Sequence, residues 1–291
     1  MENKTVGELL QAHTKQRFRP DNSRYDCLLF SDEKMIAQQT GLSLRQVECA
    51  ALESEILPER YSRNQKSLSN EDQLRLLHSR VAVIGLGGLG GTVTEILARI
   101  GVGSLTLVDG DCFDESNLNR QLLSSTTLLG HSKALTAGRR VAEINPAVEV
   151  QAVEQFLSEK NSQELLAGTS LAVDCLDTIR DRFVLEEGCR KKGVPLVSAA
   201  IGGCSGQATL VYPGDAGLKR VYGDPEKAPS RGVEASMGTL PFAAIYMAAV
   251  ECAEAVTVLL GKPPELHNRL FFADVSDHTS ELFTLPHDPE N

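Results

Sequence analysis

The sequence contains no tryptophan, and aromatic residues make up only 5% of its 291 positions. A hydrophobic core therefore has to be built mainly from leucine, valine, isoleucine and alanine. Hydrophobic residues as a class reach 42%, which is ordinary for a globular protein. The length is sufficient for one large α/β domain with a full core.

The cysteines are scattered, and no two of them form a Cys-x-x-Cys pair. Their spacing does not match the disulfide framework of a small secreted protein, and it fits a reducing cytoplasm. The seven are Cys27, Cys49, Cys112, Cys175, Cys189, Cys204 and Cys252.

An excess of positive charge is also missing. The formal net charge is −10 and the pI is near 5.2, which argues against electrostatic binding to nucleic acid. The first residues, MENKTVGELLQAH, lack the hydrophobic core of a signal peptide, and no apolar run approaches the length expected of a membrane span. We therefore expect a cytoplasmic protein that binds neither a membrane nor DNA.

A glycine-rich loop follows a short apolar run at residues 81–84. Gly85, Gly87 and Gly90 have the GxGxxG spacing, and apolar residues then recur at helical intervals up to Ile100. This pattern predicts a strand, a tight turn and a helix whose N-terminus offers free N–H groups to a phosphate. The loop predicts nucleotide binding and does not identify the nucleotide.

A second apolar run, 104–108, ends at Asp109. A Rossmann protein places at this position the acid that accepts hydrogen bonds from ribose hydroxyls. On these residues alone, a nicotinamide- or flavin-dependent oxidoreductase is as good an interpretation as a nucleotide-activating enzyme.

Charged and polar residues beyond Asp109 favour the second interpretation. Cations from separate segments that converge on phosphates suit phosphoryl or nucleotidyl transfer, where charge develops on phosphate oxygens. Each cation taken singly could instead be a solvated surface charge, and Asp177 could be the N-cap of a helix over 179–189. These residues are Asp111, Asn117, Asn119, Arg120, Gln121, Lys133, Asp174 and Asp177.

Together the motifs resemble the MoeB/ThiF/HesA family, bacterial relatives of the ubiquitin-activating enzymes. The similarity rests on GLGGLG at 85–90, the paired aspartates, NLNRQ at 117–121, the lysine after Gly130, and DCLD at 174–177. It extends upstream to ERYSRN at 59–64 and downstream through 195–200, 206–211 and 238–261. The resemblance covers about residues 56–285.

The resemblance implies a role for each matching residue. The ATP phosphates would lie on the glycine loop, the ribose on Asp109, and Mg²⁺ on Asp177. Arg63, from the Arg-Tyr-x-Arg motif, would reach across a dimer interface to the γ-phosphate of the partner's ATP. The remaining phosphate- and ATP-binding positions would be Gly85, Gly87, Gly88, Gly90, Asp111, Asn117, Arg120, Gln121 and Lys133.

The resemblance also implies an activity. Family members adenylate the C-terminal Gly-Gly carboxylate of a ubiquitin-like sulfur-carrier protein of the MoaD or ThiS type, using ATP and Mg²⁺. No protein nucleophile is needed, because the attacking carboxylate is already ionised at neutral pH. We expect a homodimer that stops at the acyl-adenylate, with sulfur delivered by another protein for molybdopterin, thiamine or cysteine synthesis.

The sequence departs from the family at its cysteines. Many members hold a structural zinc with two Cys-x-x-Cys pairs, and the corresponding stretches here, 212–229 and 232–238, contain no cysteine. We therefore expect no zinc. Cys204, the nearest candidate for a covalent link to the carrier, is interpreted as a small buried hydrophobic residue. Thr178 replaces the family's usual asparagine after Asp177.

Three alternatives remain open. A related branch activates a carboxylate on tRNA, and NLNRQ alone does not exclude it. An oxidoreductase would bind NAD(P)H and not ATP. A non-catalytic scaffold would bind a partner through residues 1–55 and would gain little thermal stability from ATP.

Periodicity predicts a Rossmann-like α/β fold: a mostly parallel twisted sheet with helices on both faces, extended by antiparallel strands. A helix is expected at 71–78 and a long apolar one at 239–260, buried in the core or in a dimer interface. A mobile loop at about 213–231 would cross the nucleotide. Strands are expected near 80–84, 104–108, 148–153, 171–174, 194–198, 207–211, 269–274 and 281–285.

The chain divides into an N-terminal helical segment, 1–55, and an adenylation domain, 56–291. Within the first segment, the spacing of Ala37, Gly41 and Val47 resembles a helix-turn-helix. The segment lacks a basic second helix. We therefore predict a helical hairpin packed on the enzyme.

Overall fold

A small mixed unit forms the beginning of the chain in the computed structural model, which describes residues 5–229, 232 and 234–286. Its apolar centre contains Leu10, Leu28, Ile36 and Val47, all buried. The elements in chain order are α1 (Val6–His13), β1 (Lys15–Phe18), β2 (Arg24–Leu28), α2 (Phe30–Thr40), α3 (Leu44–Glu53) and β3 (Leu57–Pro58).

The predicted helical hairpin corresponds to α2 and α3, joined by a short turn. Gly41 ends α2 in the left-handed conformation, with a φ of 74°, and Ser43 caps α3 by accepting from the Gln46 N–H. The description of residues 1–55 as helical is wrong for β1 and β2, which pair as an antiparallel hairpin. β3 pairs with β2 in parallel, so this small sheet reaches Pro58.

The larger part of the chain contains an eight-stranded sheet, in the order β11-β10-β9-β8-β7-β4-β5-β6. Its elements are α4 (Asn70–His78), β4 (Arg80–Ile84), α5 (Gly88–Ile100), β5 (Ser104–Val108), α6 (Lys133–Ile144), β6 (Glu149–Val153), α7 (Ser162–Leu165), β7 (Leu171–Asp174), α8 (Ile179–Lys192), β8 (Leu196–Gly202), β9 (Ser205–Val211), α9 (Lys219–Tyr222), α10 (Glu234–Met237), α11 (Pro241–Leu259), β10 (Arg269–Asp274) and β11 (Thr279–Thr284).

The strand directions confirm the predicted fold class. β6, β5, β4, β7 and β8 are parallel, and β9, β10 and β11 extend the sheet in antiparallel fashion. The chain runs from β4 outward to β5 and β6, then returns to β7 on the other side of β4. A crevice opens where the winding reverses, at the carboxyl ends of β4 and β7.

Helices cover both faces of this sheet. A hydrophobic cluster lies on each face, and alternate residues of β4 point into one or the other. Val81 and Val83 belong to the first cluster, and Ala82 and Ile84 belong to the second. The first cluster contains side chains from α5, α6 and α11, and the second contains side chains from α7 and α8. The central strands are therefore buried on both faces, which explains their continuous apolar sequences.

Helix α11 is the predicted long apolar helix. Ala244, Ala248 and Cys252 are buried on its inner side, whereas Phe242 and Tyr246 are exposed. By length and composition alone it would be sufficient to cross a membrane, so the expectation that no apolar run approaches that length is wrong. Its buried side packs on the parallel sheet, and we interpret it as a core helix.

Candidate functional site

The glycine loop connects β4 to α5 with two close backbone approaches. Gly85 has a φ of +91°, and a Cβ on it would lie 2.6 Å from the Cys175 carbonyl oxygen. A Cβ on Gly90 would lie 1.8 Å from the Gly85 oxygen. Only glycine fits at these two positions, and the loop leaves the first turn of α5 open to an anion.

Asp109, at the end of β5, is tied to the backbone of this loop. One carboxylate oxygen accepts from the Leu86 N–H at 2.7 Å, and the other accepts from the Asp111 N–H at 2.8 Å. Burial raises the pKa of Asp109, and the two backbone donors oppose that shift. The carboxylate is thus held at the edge of the crevice, where the sequence predicted it.

Lys133 reaches the same crevice from the first turn of α6. Its side chain is almost fully buried, and its Nζ lies 3.3 Å from an oxygen of Asp111, which is exposed. A buried ammonium keeps its position better than an exposed one. Lys133 is therefore a fixed cation in the crevice and not a solvated surface charge.

Arg120 and Gln121 come from the polar string after β5. The guanidinium donates to the Ser116 carbonyl at 3.0 Å and to the side-chain oxygen of Asn119 at 2.8 Å. Gln121 is buried, and its Oε1 has no hydrogen-bond partner in the described structure. An unpaired buried amide oxygen is costly, so it marks a position where a ligand donor would be favourable.

Asn117 has a different position. Its Oδ1 accepts from the Asp114 N–H at 3.1 Å, which closes the capping box of a short 3₁₀ turn. It does not line the crevice. The predicted ATP contact of Asn117 stays a prediction, and its observed contact supports the loop that carries Arg120.

Asp177 is exposed at the mouth of the crevice, and its carboxylate has no hydrogen-bond or ion-pair partner among the described residues. The alternative role as a helix N-cap is wrong. Thr178 caps α8, because its hydroxyl accepts from the Asp181 N–H at 3.2 Å. The Asp177 carboxylate is thus left for a ligand.

A cavity of about 200 Å³ brings these groups together. Gly90, Asn117 and Arg63 are not among the residues that line it, and Arg63 is exposed on the surface. The predicted residues that do line it are Gly85, Gly87, Gly88, Asp109, Asp111, Arg120, Gln121, Lys133 and Asp177.

The cavity wall also contains residues that sequence reasoning missed. Phe156 and Leu157 follow β6, Leu176 follows β7, and Ile201 lies near the end of β8. Phe156 is 66% exposed, and its ring lies where a Cβ on Gly110 would approach to 2.6 Å. The rule that located Asp109, the carboxyl end of a parallel strand, would also have located Phe156.

A buried polar network holds the loop that carries Asp177. Arg182 donates to an Asp174 oxygen at 2.7 Å, to the Ala199 carbonyl at 2.6 Å and to the Leu176 carbonyl. Ser198 donates to the same Asp174 oxygen at 2.6 Å. The first aspartate of DCLD is therefore structural, and Arg182 was not predicted.

The interpretation of Cys204 as a buried hydrophobic residue is wrong. The residue is half-buried, and its Sγ lies 3.3 Å from the Asp274 carboxylate. Over the residues that the structure describes, no group of three or more His, Cys, Asp or Glu side chains is placed to hold a metal ion.

The predicted crossing loop packs elsewhere in its described part, 213–229. The Leu218 N–H donates to Glu186 on α8 at 2.9 Å, and Arg220 donates to Asn268 beside β10 at 2.6 Å. None of these residues lines the cavity. Residues 230 and 231 lie outside the described residues, so the crossing of the nucleotide by this loop stays a prediction.

Comparison with known proteins identifies the family. Residues 61–291 match the ThiF family. The SAMP-activating enzyme E1 of Haloferax volcanii is 36% identical over 234 residues, which cover 79% of this chain and 85% of that protein. The molybdopterin-synthase adenylyltransferase of Salmonella typhimurium is 42% identical over 140 residues, 48% of this chain and 56% of that protein.

The fold comparison agrees. The structure of Escherichia coli MccB with ATP has a TM-score of 0.68 and 20% identity, covering 79% of this chain and 73% of that one. At this identity the likeness concerns the fold alone. The match to the ThiF family spans residues 61–291, a range that includes all the residues lining the cavity, and the chain therefore belongs to the ThiF family of adenylyltransferases.

Proposed function

We propose that the protein adenylates the C-terminal Gly-Gly carboxylate of a ubiquitin-like sulfur-carrier protein. The observation that carries the proposal is the combination, in one cavity, of a glycine cradle, two cations and an unpaired carboxylate. The names of its relatives support the same class of acceptor, since one activates SAMP and another acts on molybdopterin synthase.

ATP fits the groups that line the cavity. The phosphates would lie on Gly85, Gly87 and Gly88, where the amide nitrogen of Gln121, the donor end of that side chain, lies beside the loop. The ribose would lie at Asp109, and the adenine against the apolar side chain of Phe156. An oxidoreductase gains nothing from the additional cations, and the relatives favour nucleotidyl transfer.

The reaction joins a carboxylate oxygen of the carrier to the α-phosphorus of ATP and breaks the bond between that phosphorus and the pyrophosphate oxygen. Arg120 and Lys133 stabilise the charge that develops on the phosphates. Asp177 would hold Mg²⁺, which neutralises the leaving pyrophosphate when it is bound. No side chain has to act as a base, because the attacking carboxylate is ionised at neutral pH.

The position of Arg63 suits a contact with the nucleotide of the partner subunit in a homodimer. It is exposed, it does not line the cavity of its own chain, and its guanidinium has no partner among the described residues. We propose that it contacts the γ-phosphate in the partner subunit. The proposal includes a separate sulfur donor that acts on the acyl-adenylate.

A carrier-dependent ATP–pyrophosphate exchange assay tests the function. The acceptors are a recombinant ubiquitin-like protein ending in Gly-Gly, the same protein lacking the final glycine, and total tRNA. We expect exchange with the first only, and loss of at least about 100-fold in Asp177→Asn. Asp277→Asn, at an exposed carboxylate outside the cavity, is the matched control. Exchange stimulated by tRNA alone, or unchanged in Asp177→Asn, would overturn the proposal.

A further inference from the structure

A buried ionic cluster joins the N-terminal unit to the rest of the chain. Glu33 of α2 and Glu48 of α3 are 1% and 0% exposed, and both face the guanidinium of Arg60. The Nε of Arg60 lies 3.1 Å from Glu48, and its Nη2 lies 3.7 Å from Glu33. The N-terminal unit thus supplies two carboxylates to one cation of the Arg-Tyr-x-Arg motif.

The other side of the cluster lies on the adenylation domain. Arg60 donates to the Asn145 side chain at 2.9 Å, and Asn145 donates to the Tyr61 hydroxyl at 3.0 Å and to the Ala98 carbonyl at 3.1 Å. Tyr61 donates to Glu48 at 2.9 Å. The cluster therefore connects α3, through Arg60 and Tyr61, to Asn145 at the end of α6. Asn145 in turn contacts α5, the helix that begins at the glycine loop.

Tyr61 also packs against the C-terminal end of α5. A Cβ on Gly101, the residue that ends this helix, would lie 2.6 Å from the Tyr61 ring. Asn64 donates to Gln73 at 3.0 Å, and Gln73 donates to the Ile100 carbonyl at 2.8 Å. The chain is thus anchored by the side chain of Tyr61, two residues before Arg63, and by that of Asn64, directly after it.

Arg63 lies between these anchors in a run of tight turns. The Ser62 N–H donates to the Glu59 carbonyl at 3.0 Å, and the Asn64 N–H donates to the Tyr61 carbonyl at 2.9 Å. The main chain at Arg63 is fixed while its side chain projects into solvent. This combination suits a residue that has to meet a ligand outside its own subunit.

We infer that Glu48 is a positioning residue for Arg63, acting through Arg60 and Tyr61, so that the N-terminal unit is part of the adenylation machinery. The inference rests on the proposed contact of Arg63 with the partner's nucleotide. Glu48 binds both residues at once: it pairs with the guanidinium and accepts from the phenol. Its loss would leave Arg60 with a weaker partner and would loosen the turn on which Arg63 is placed.

The first test measures the order of the turn and needs no activity. Limited trypsin digestion of the full chain, followed by mass spectrometry, reports cleavage after Arg63. We expect faster cleavage in Glu48→Gln than in wild type at equal thermal stability, and no change in Glu53→Gln, a matched exposed carboxylate on α3. Unchanged cleavage in a folded Glu48→Gln protein would overturn the inference. Tyr61→Phe, which keeps the carboxylate and removes the two hydrogen bonds of the phenol, replaces Glu48→Gln if that variant does not fold.

The second test is a double-mutant cycle in the exchange assay. Glu48→Gln should lower the turnover number by about 10- to 100-fold, as a misplaced contact does, and should add nothing in the Arg63→Ala background. An equal loss in both backgrounds would mean that Glu48 acts on stability and not through Arg63. A wild-type protein without exchange activity would contradict the proposed function, and the trypsin result would still decide whether Glu48 orders the turn.

Discussion

At the scale of single residues, Gly85 combines two separate constraints. Its φ of +91° favours glycine, and the space for a side chain is taken by the Cys175 carbonyl. The first constraint costs other residues about 1–2 kcal/mol. The second cannot be relieved, because Gly85 and Cys175 directly follow the adjacent parallel strands β4 and β7.

Gly85→Ala should therefore abolish ATP binding and lower the free energy of unfolding by more than the conformational cost alone. Isothermal titration calorimetry and urea unfolding measure the two effects. Gly193→Ala is the matched control, because Gly193 has a φ of +69° and open space around it. The free energy of unfolding of Gly193→Ala should fall by only about 1 kcal/mol, and the variant should still bind ATP. Equal behaviour of the two variants would show that the contact with Cys175 is unimportant.

Phe156 gives a second residue-scale prediction. If adenine stacks on this ring, Phe156→Ala should weaken ATP binding by about 1–3 kcal/mol and leave pyrophosphate binding unchanged. Fluorescence competition with ATP and with pyrophosphate separates the two affinities. Phe18→Ala, which removes an aromatic ring 60% exposed in the N-terminal unit, should change neither. A parallel loss of pyrophosphate affinity would contradict stacking.

The site residues that could be predicted are those whose role follows from their position in a local backbone motif. Gly85 and Gly90 were identified from spacing, and Asp109 from its place at a strand end. Gln121 was identified by resemblance, and only the structure shows that its amide oxygen is unpaired. Arg182 was missed because a buried arginine on α8 looks like any helical surface charge until β7 and β8 are placed around it.

At the scale of elements, the two strands β1 and β2 of the N-terminal unit could not be predicted from the periodicity of the sequence. All four residues of β1 are exposed, and β2 buries only Cys27 and Leu28. Neither strand has the alternation that identifies a half-buried strand. The hairpin is held by its pairing and by packing against α2, which a sequence pattern does not contain. Longer buried strands, such as β4 and β5, were predicted within a residue of their ends.

Two buried glutamates, Glu33 on α2 and Glu48 on α3, should make the free energy of unfolding depend on pH. Burial, reinforced by the charge of Glu48, raises the pKa of Glu33 to about 8 against the opposing effect of Arg60. Burial likewise raises the pKa of Glu48 to about 7. The folded chain therefore holds these protons more tightly than the unfolded chain, whose glutamates titrate near 4.5. The contribution of these two groups to stability is greatest below that value and is lost as the pH rises towards 8.

Glu33→Gln should flatten this profile. We expect the wild-type free energy of unfolding to fall by about 1–3 kcal/mol between pH 6 and pH 8.5, and to fall by less in the variant. Urea unfolding at both pH values gives the difference. Glu53→Gln, at an exposed carboxylate on α3, controls for the change in net charge. The same slope in Glu33→Gln and wild type would place the titration elsewhere.

At the scale of the whole molecule, the site depends on the point where the winding of the sheet reverses. The alternation of strands and helices predicted a parallel sheet, and the strand order places the ends of β4, β5 and β7 beside one another. Segments far apart in sequence, those of Asp109, Lys133 and Asp177, therefore meet in one cavity. Arg63 lies outside that cavity, and its proposed contact across a homodimer stays a prediction, because periodicity along one chain does not determine how two subunits meet.

Subunit mixing tests the role of Arg63 in the assembly. In the proposed homodimer, Arg63→Ala and Asp177→Ala should each lower carrier-dependent exchange by at least about 100-fold and leave a small residual rate. After co-refolding, half of the dimers carry one variant of each kind. If Arg63 acts on the partner's nucleotide, each mixed dimer has one site with both residues intact, so activity should return to about a quarter of wild type.

Arg120→Ala mixed with Asp177→Ala is the control. Both residues line the same cavity, so every site in that mixed dimer lacks one of them and no activity should return. If Arg63 acted within its own subunit, its mixture with Asp177→Ala would stay as inactive as this control, because each site would again lack one residue. Recovery in the first mixture alone can arise only when a complete site draws its arginine and its aspartate from different subunits. The experiment therefore distinguishes an active site built by two subunits from one built by a single chain.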